Sequence, residues 1–238
     1  MTTTAPSATV AAQASPPQAP DAGSINPFPV KLRLPHAVIT AGADACEKWF
    51  VDLTLANEDA PWVMELNSEG ELELTMPPYE PSDEHEGEFF GELRQWNISR
   101  GRPGVATASG GAYRLPNGAI RYPDAAWTHA DNLHPRPADP PRARRYCPDF
   151  VVEIRSTSQS RPSDLTELLN KMQEYMDNGA KLAWLIDPLE RAVRIYRAGA
   201  AEPEFLADPE TLDGEDVLPG FVFEVRRLIF DLGRSDFP

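Results

Sequence analysis

The sequence predicts a mixed α/β fold, with a central β-sheet flanked by helices, and three stretches carry that reading. CPDFVVEIRS (147–156) has the continuous apolar run of a strand buried on both faces. PSDLTELLNKMQEYMDNGA (162–180) has the apolar spacing of an amphipathic helix. KLAWLIDP (181–188) then reads as a second buried strand, with RAVRIYRA as its hairpin partner.

The elements follow in order. The first thirty residues are rich in Ala, Pro, Ser and Thr, and Asp21 is their single charged side chain. Such a segment buries too little apolar surface to offset its ordering entropy, which predicts a disordered tail over 1–30 and one domain over 31–238. PWVMEL and ELELTM flank Asn67-Ser68-Glu69-Gly70, an N-terminal β-hairpin with Gly70 in the positive-φ position. EGEFFGELRQWNISRG (86–101) spaces Phe89, Phe90, Leu93, Trp96 and Ile98 as a helix does, and Gly101 and Pro103 stop it. GVATASGGAYRLPNGAIRYPDAAWTHA (104–130) gives two or three strands, broken at Pro116-Asn117-Gly118. A Pro/Arg-rich loop (130–147) leads to the 147–156 strand. In the helix after it, Asp164 is the expected cap, with Glu167 closing a capping box and Gly179 ending the helix. ETLDGEDVLPGFVFEVRRLIF (210–230) adds a short strand and an apolar closing segment.

Composition narrows the function. The N-terminal stretch lacks the basic start and compact apolar segment of a signal peptide, and no run is long enough to span a bilayer, so a cytoplasmic protein is expected. Cys46 and Cys147 make neither a disulfide framework nor a zinc site. The net charge of −15 opposes simple electrostatic binding to nucleic acid. Between Arg100 and Arg161, however, ten arginines face five acidic residues, which is either a binding face or a set of solvated loops. No G-x-S-x-G elbow and no histidine pair at metal-binding spacing is present, which disfavours a serine hydrolase or a zinc enzyme.

The chemistry points to carboxylates. Alternation puts Asp149, Val151, Glu153 and Arg155 on one face of the 147–156 strand. Asp149 and Glu153 are four residues apart, roughly 13 Å along a strand, too far to share one ion. Glu153 therefore needs a carboxylate from a neighbouring strand, and RYPDAAWT offers Asp124; Asp149 is left solvated or capping. On the following helix Lys171 lies roughly 40° beyond Tyr175, at the edge of the apolar stripe, where a long side chain can lay its methylenes on the core and deliver its ammonium to the strand. Structural alternatives compete: Asp124 capping a turn, and Glu153 paired with Arg121 or Arg155.

YRLPNGAIRYPDAAW, then CPDFVVEIRSTS, then LLNKMQEYMDNGAKLAWLIDP, resemble the Uma-two family of restriction endonucleases within the PD-(D/E)xK nuclease superfamily. WVMELNSEGELELTMPPYEPSDEHEGEFFGEL and GEDVLPGFVFEV extend the resemblance to nearly everything from about residue 60 onward. It implies a restriction-endonuclease-like core. It also implies a Mg²⁺-dependent (or Mn²⁺-dependent) endonuclease acting on DNA, with Asp124 and Glu153 as metal ligands and a possible homodimer through Leu228, Ile229 and Phe230, residues that serve equally to close the core. Glu88 on the first helix becomes an added ligand, with Glu92 competing, and His85 a helix-start histidine. The catalytic lysine of such nucleases stands two residues after the glutamate; here that position holds Arg155, and Lys171 resembles its replacement. Arg142, Arg144 and Arg145 are the expected phosphate contacts. The alternative is a catalytically inactive nuclease-fold module acting as a nucleic-acid-binding or scaffold protein.

Overall fold

Two sheets organise the chain, and the hairpin at 63–75 belongs to the smaller. The structure, a computed structural model, describes residues 29–76, 81–135 and 143–232. Residues 1–28 of the expected tail, and Arg142, lie outside the described residues. The elements are β1 (Val30–Arg33), α1 (His36–Thr40), α2 (Ala43–Ala56), β2 (Val63–Leu66), β3 (Glu71–Thr75), α3 (Ser82–Ser99), β4 (Gly104–Ala108), β5 (Tyr113–Arg114), β6 (Ile120–Arg121), β7 (Ala125–His129), β8 (Phe150–Ile154), α4 (Pro162–Asp177), β9 (Leu182–Asp187), β10 (Ala192–Arg197), β11 (Glu204–Ala207), β12 (Leu212–Asp213) and β13 (Val222–Phe223). One sheet runs β1-β3-β2-β6-β5, the other β11-β10-β9-β8-β7-β4, and β12 pairs with β13.

The six-stranded sheet is mixed: β8 and β9 run parallel around α4, while β7 and β8, and β9 and β10, run antiparallel. Helices cover both faces. Against one, α3 sends Phe89, Leu93 and Trp96 into a cluster with Phe150, Val152, Trp184, Phe221 and Phe223. Against the other, α4 packs Leu168, Met172 and Tyr175 on Val151, Ala183 and Leu185. The alternation read along 149–155 thus separates two cores, and Glu153 lies on the α4 side with Val151. Leu228, Ile229 and Phe230 are buried in the α3-side cluster, so they close the core and are not available as a dimer surface.

The N-terminal sheet packs Met64, Leu66, Leu72 and Ile120 on Phe50 and Val51 of α2. The hairpin turn follows the sequence: Gly70 has φ +77°, and Asn67 Oδ1 accepts the backbone N–H of Glu69 and Glu71. The 104–130 region, read as two or three strands, splits between both sheets. β4 and β7 join the larger sheet; β5 and β6, turning at Gly118 with φ +92°, join the smaller. Helix α4 starts three residues earlier than its expected cap, Asp164, requires. Arg161 is the N-cap residue, and Asp164, in the first turn, accepts the Arg161 backbone N–H through Oδ2 at 3.0 Å. Among the described residues no helix is long and apolar enough to cross a membrane.

Candidate active site

The β7–β8 ladder pairs Ala125 with Val152, so Asp124, one residue before β7, stands across from Glu153. The register explains how two carboxylates from separate strands come together. Asp124 Oδ2 accepts the backbone N–H of Ile154 at 2.6 Å, which fixes it against the β8 end. Glu153 Oε1 accepts from Tyr175 Oη at 3.0 Å and from Lys171 Nζ at 2.9 Å. Among the described residues, Asp124 Oδ1 and Glu153 Oε2 accept no hydrogen bond.

Both carboxylates line a cleft of about 790 Å³ between the N-terminal sheet, α4 and the start of α3. Its wall carries ten acidic side chains and four cations, Lys31, Arg121, Arg161 and Lys171. This imbalance marks the protonation states. Burial, then the charge of Glu86, pushes the Asp124 carboxyl from its ordinary 3.8 to about 7. Burial raises Glu153 from 4.5 to about 8, with Asp124 and Glu65 adding to the shift. Lys171 pulls Glu153 the other way but does not outweigh desolvation and two like charges. Burial opposes the Lys171 ammonium, yet Glu153 and Glu65 hold its pKa above the ordinary lysine value.

Three acidic side chains of this cluster, Glu65, Glu73 and Glu174, are not singled out by the sequence, and Arg121, read there as a partner for Glu153, binds these three instead. Glu65 on β2 accepts from Lys171 Nζ at 3.0 Å, so the ammonium bridges Glu65 and Glu153. Arg121 on β6 binds Glu65 at 3.2 Å, Glu174 of α4 at 2.7 Å and Glu73 of β3. Glu65 and Glu73 are direct cross-strand partners. Like charges in that position repel unless a cation stands between them, and the hairpin register alone carries that signal.

On α3 the cleft residue is Glu86. Glu88 is exposed and does not line the cleft, and neither does Glu92. The buried face of α3 runs through Ser82, His85, Phe89, Leu93 and Trp96, and Glu86, three residues before Phe89, borders it. Burial, together with Glu153 and Asp83, raises its carboxyl above the usual range, against a hydrogen bond from Ser109. His85 is buried outside the cleft, hydrogen-bonded to the backbone of Ile229, and burial lowers its pKa.

Arg155 is also outside the cleft. Its guanidinium donates to Asp187 Oδ2 at 2.8 Å and to the Gln159 carbonyl at 2.9 Å. The strand ends at Ile154, so alternation no longer governs the next side chain. Of the three expected phosphate contacts, Arg145 is bound to the buried Glu47 at 2.8 Å, and Arg144 lies over the Tyr113 ring at 5.4 Å. Neither lines the cleft. Asp149 is buried, not solvated: its oxygens take the His129 backbone N–H, Asn132 and Lys181. Burial alone would raise its carboxyl, and these donors hold it below the usual range instead.

Comparison with known proteins adds a family and a fold. The Uma2 family, described as "Putative restriction endonuclease", matches residues 50–226. No curated protein matches the sequence. Among solved structures, a crystal structure from Anabaena variabilis, described as "a putative nuclease belonging to DUF820", is similar over 70% of this chain and 89% of its own, with a TM-score of 0.58 and 20% identity. At that identity the likeness speaks for the fold.

Proposed function

The chain belongs to the Uma2 family, and from that premise we propose that it is a metal-dependent endonuclease hydrolysing phosphodiester bonds in DNA. The observation that supports this best is the meeting of Asp124 and Glu153 in a cleft, each with one oxygen free of protein donors and with an ammonium beside them.

The donor set suits Mg²⁺ or Mn²⁺, hard cations that prefer oxygen ligands. Among the described residues no three acidic, histidine or cysteine side chains stand ready to enclose an ion. Mg²⁺ sites use one or two carboxylates, with water and substrate phosphate supplying the rest. Asp124 and Glu153 would hold the ion, with Glu86 adding negative charge at the α3 side. A bound divalent ion polarises a phosphoryl oxygen and makes an attacking water more acidic.

The chain's own residues do the rest. Lys171, an ammonium between two carboxylates, acts as a donor and not as a base. Its place at the cleft suits it to hold the attacking water or stabilise charge developing on the phosphoryl oxygens. Arg121 donates to three glutamates through Nε and Nη1 and contributes by fixing the wall. Excess negative charge in the cleft repels a polyanion until a cation neutralises it, so DNA and metal bind together.

Plasmid nicking and thermal unfolding in Mg²⁺ or Mn²⁺ test the reading. Asp124→Asn and Glu153→Gln are expected to abolish both the metal-induced stabilisation and the cleavage. Lys171→Ala is expected to cut cleavage by about 10²–10³-fold while the metal-induced shift survives. A protein with no metal response, binding DNA alike with and without both carboxylates, is a nuclease fold serving as a binding module.

A further inference from the structure

Glu65 lies at the cleft but is badly placed to be a metal ligand, because its oxygens are taken. Oε1 accepts from Lys171 Nζ at 3.0 Å and from the Tyr122 backbone N–H at 2.7 Å, and Oε2 accepts from Arg121 Nη1 at 3.2 Å. Its side chain is only 13% exposed. Two of those three donors, Arg121 in β6 and Tyr122 directly after it, hold the carboxylate from outside α4. The third donor is the lysine of the candidate site.

Lys171 has two acceptors in reach, Glu65 and Glu153. A divalent ion drawn to Asp124 and Glu153 competes with the ammonium for Glu153, since two cations on one carboxylate repel each other. An acceptor that stays in place lets the lysine give up Glu153 without leaving the cleft. Resting on the metal-dependent reading above, we propose that Glu65 is a positioning residue: it retains the Lys171 ammonium beside the site when a divalent cation takes over Glu153. The N-terminal hairpin thereby supplies a working part of the site, a role that neither the strand pair nor the helix bearing the lysine can fill.

Without Glu65 the lysine has Glu153 as its remaining partner, and lysine and ion contest the same oxygens. Mn²⁺ binding, measured by calorimetry on the full chain at fixed pH, separates this from a merely structural role. Four proteins are compared: unaltered, Glu65→Gln, Lys171→Met, and the double variant. Gln keeps the size of Glu65 and can still accept the Tyr122 N–H. Glu65→Gln is expected to weaken Mn²⁺ binding about tenfold when Lys171 is present. In the Lys171→Met background the loss shrinks to about two- to threefold, the through-space effect of one lost charge.

Equal weakening in both backgrounds, or none in either, overturns the proposal, because a structural role for Glu65 is indifferent to the lysine. An unaltered protein that binds no Mn²⁺ overturns the metal reading itself and this role with it, a result distinct from the other two. Thermal unfolding of each variant checks that it folds. If Lys171→Met fails to fold, Lys171→Gln, which keeps polar donors for both glutamates, takes its place with the same expected pattern.

Discussion

Asp124 and Glu153 are acids whose proton affinity is raised by folding, from 3.8 to about 7 and from 4.5 to about 8. Between the ordinary and raised values the folded protein holds protons that the unfolded chain has released, so stability falls as pH rises through that window. In chelator, the folding free energy is expected to drop by up to about 1.4 kcal/mol per pH unit per group between roughly pH 5 and 8. Glu153→Gln should flatten the curve at its alkaline end, as urea titrations at pH 5, 6.5 and 8 would register; an unchanged slope contradicts the buried-acid account. Glu86 and Glu88 offer a second contrast two residues apart. Glu86→Gln is expected to lower cleavage at least tenfold, whereas Glu88→Gln, altering an exposed side chain, leaves it unchanged; equal rates for the two would place the α3 contribution elsewhere. Glu88 follows from the family resemblance alone, which places an acidic ligand on this helix without fixing which side chain faces inward. A start at Ser82 puts His85, Phe89 and Leu93 in line and brings Glu86 to their border.

Helix α4 and strand β8 were legible because each is strongly patterned: an unbroken apolar strand, then leucines and methionine at helical spacing ended by Gly179, which has φ +109°. The ammonium of Lys171 reaches the strand below as the wheel angle indicates. What the pattern could not convey was the destination of short pieces. β6 is two residues long, yet it crosses into the hairpin sheet and carries Arg121 to Glu65, Glu73 and Glu174. That arginine ties the hairpin to α4 from a nearly sealed position, 6% exposed. Removing it leaves three carboxylates crowded without their cation, so Arg121→Met is expected to cost about 3–5 kcal/mol in urea unfolding at pH 7.5. A cost below about 1 kcal/mol would mean that water, not the guanidinium, keeps these charges apart. Arg155 failed in the opposite direction: two residues past Glu153 it reads as a cleft residue, but its own side chain closes on Asp187 at the end of β9.

The whole chain carries a charge of −15, and within its arginine-rich middle several guanidinium groups are spent on ion pairs inside the protein. Arg114, Arg121, Arg145, Arg155 and Arg161 are each paired to carboxylates within the protein. Among the described residues Arg94 in α3, and Arg100 and Arg102 just after it, are exposed and have no such partner. The mixed α/β architecture was readable because a parallel β8–α4–β9 unit leaves a strong apolar signature, whereas α1 and β1 are too short to carry a periodicity, and α2 was not anticipated although Cys46, Phe50 and Val51 stand at helical spacing. The most direct measurement is a crystal structure of the protein grown in Mn²⁺, with the ion located by anomalous scattering. The expected result is an ion on Asp124 Oδ1 and Glu153 Oε2, with Lys171 Nζ still held by Glu65. A cleft without anomalous signal, Lys171 bridging both glutamates as before, would contradict the nuclease account.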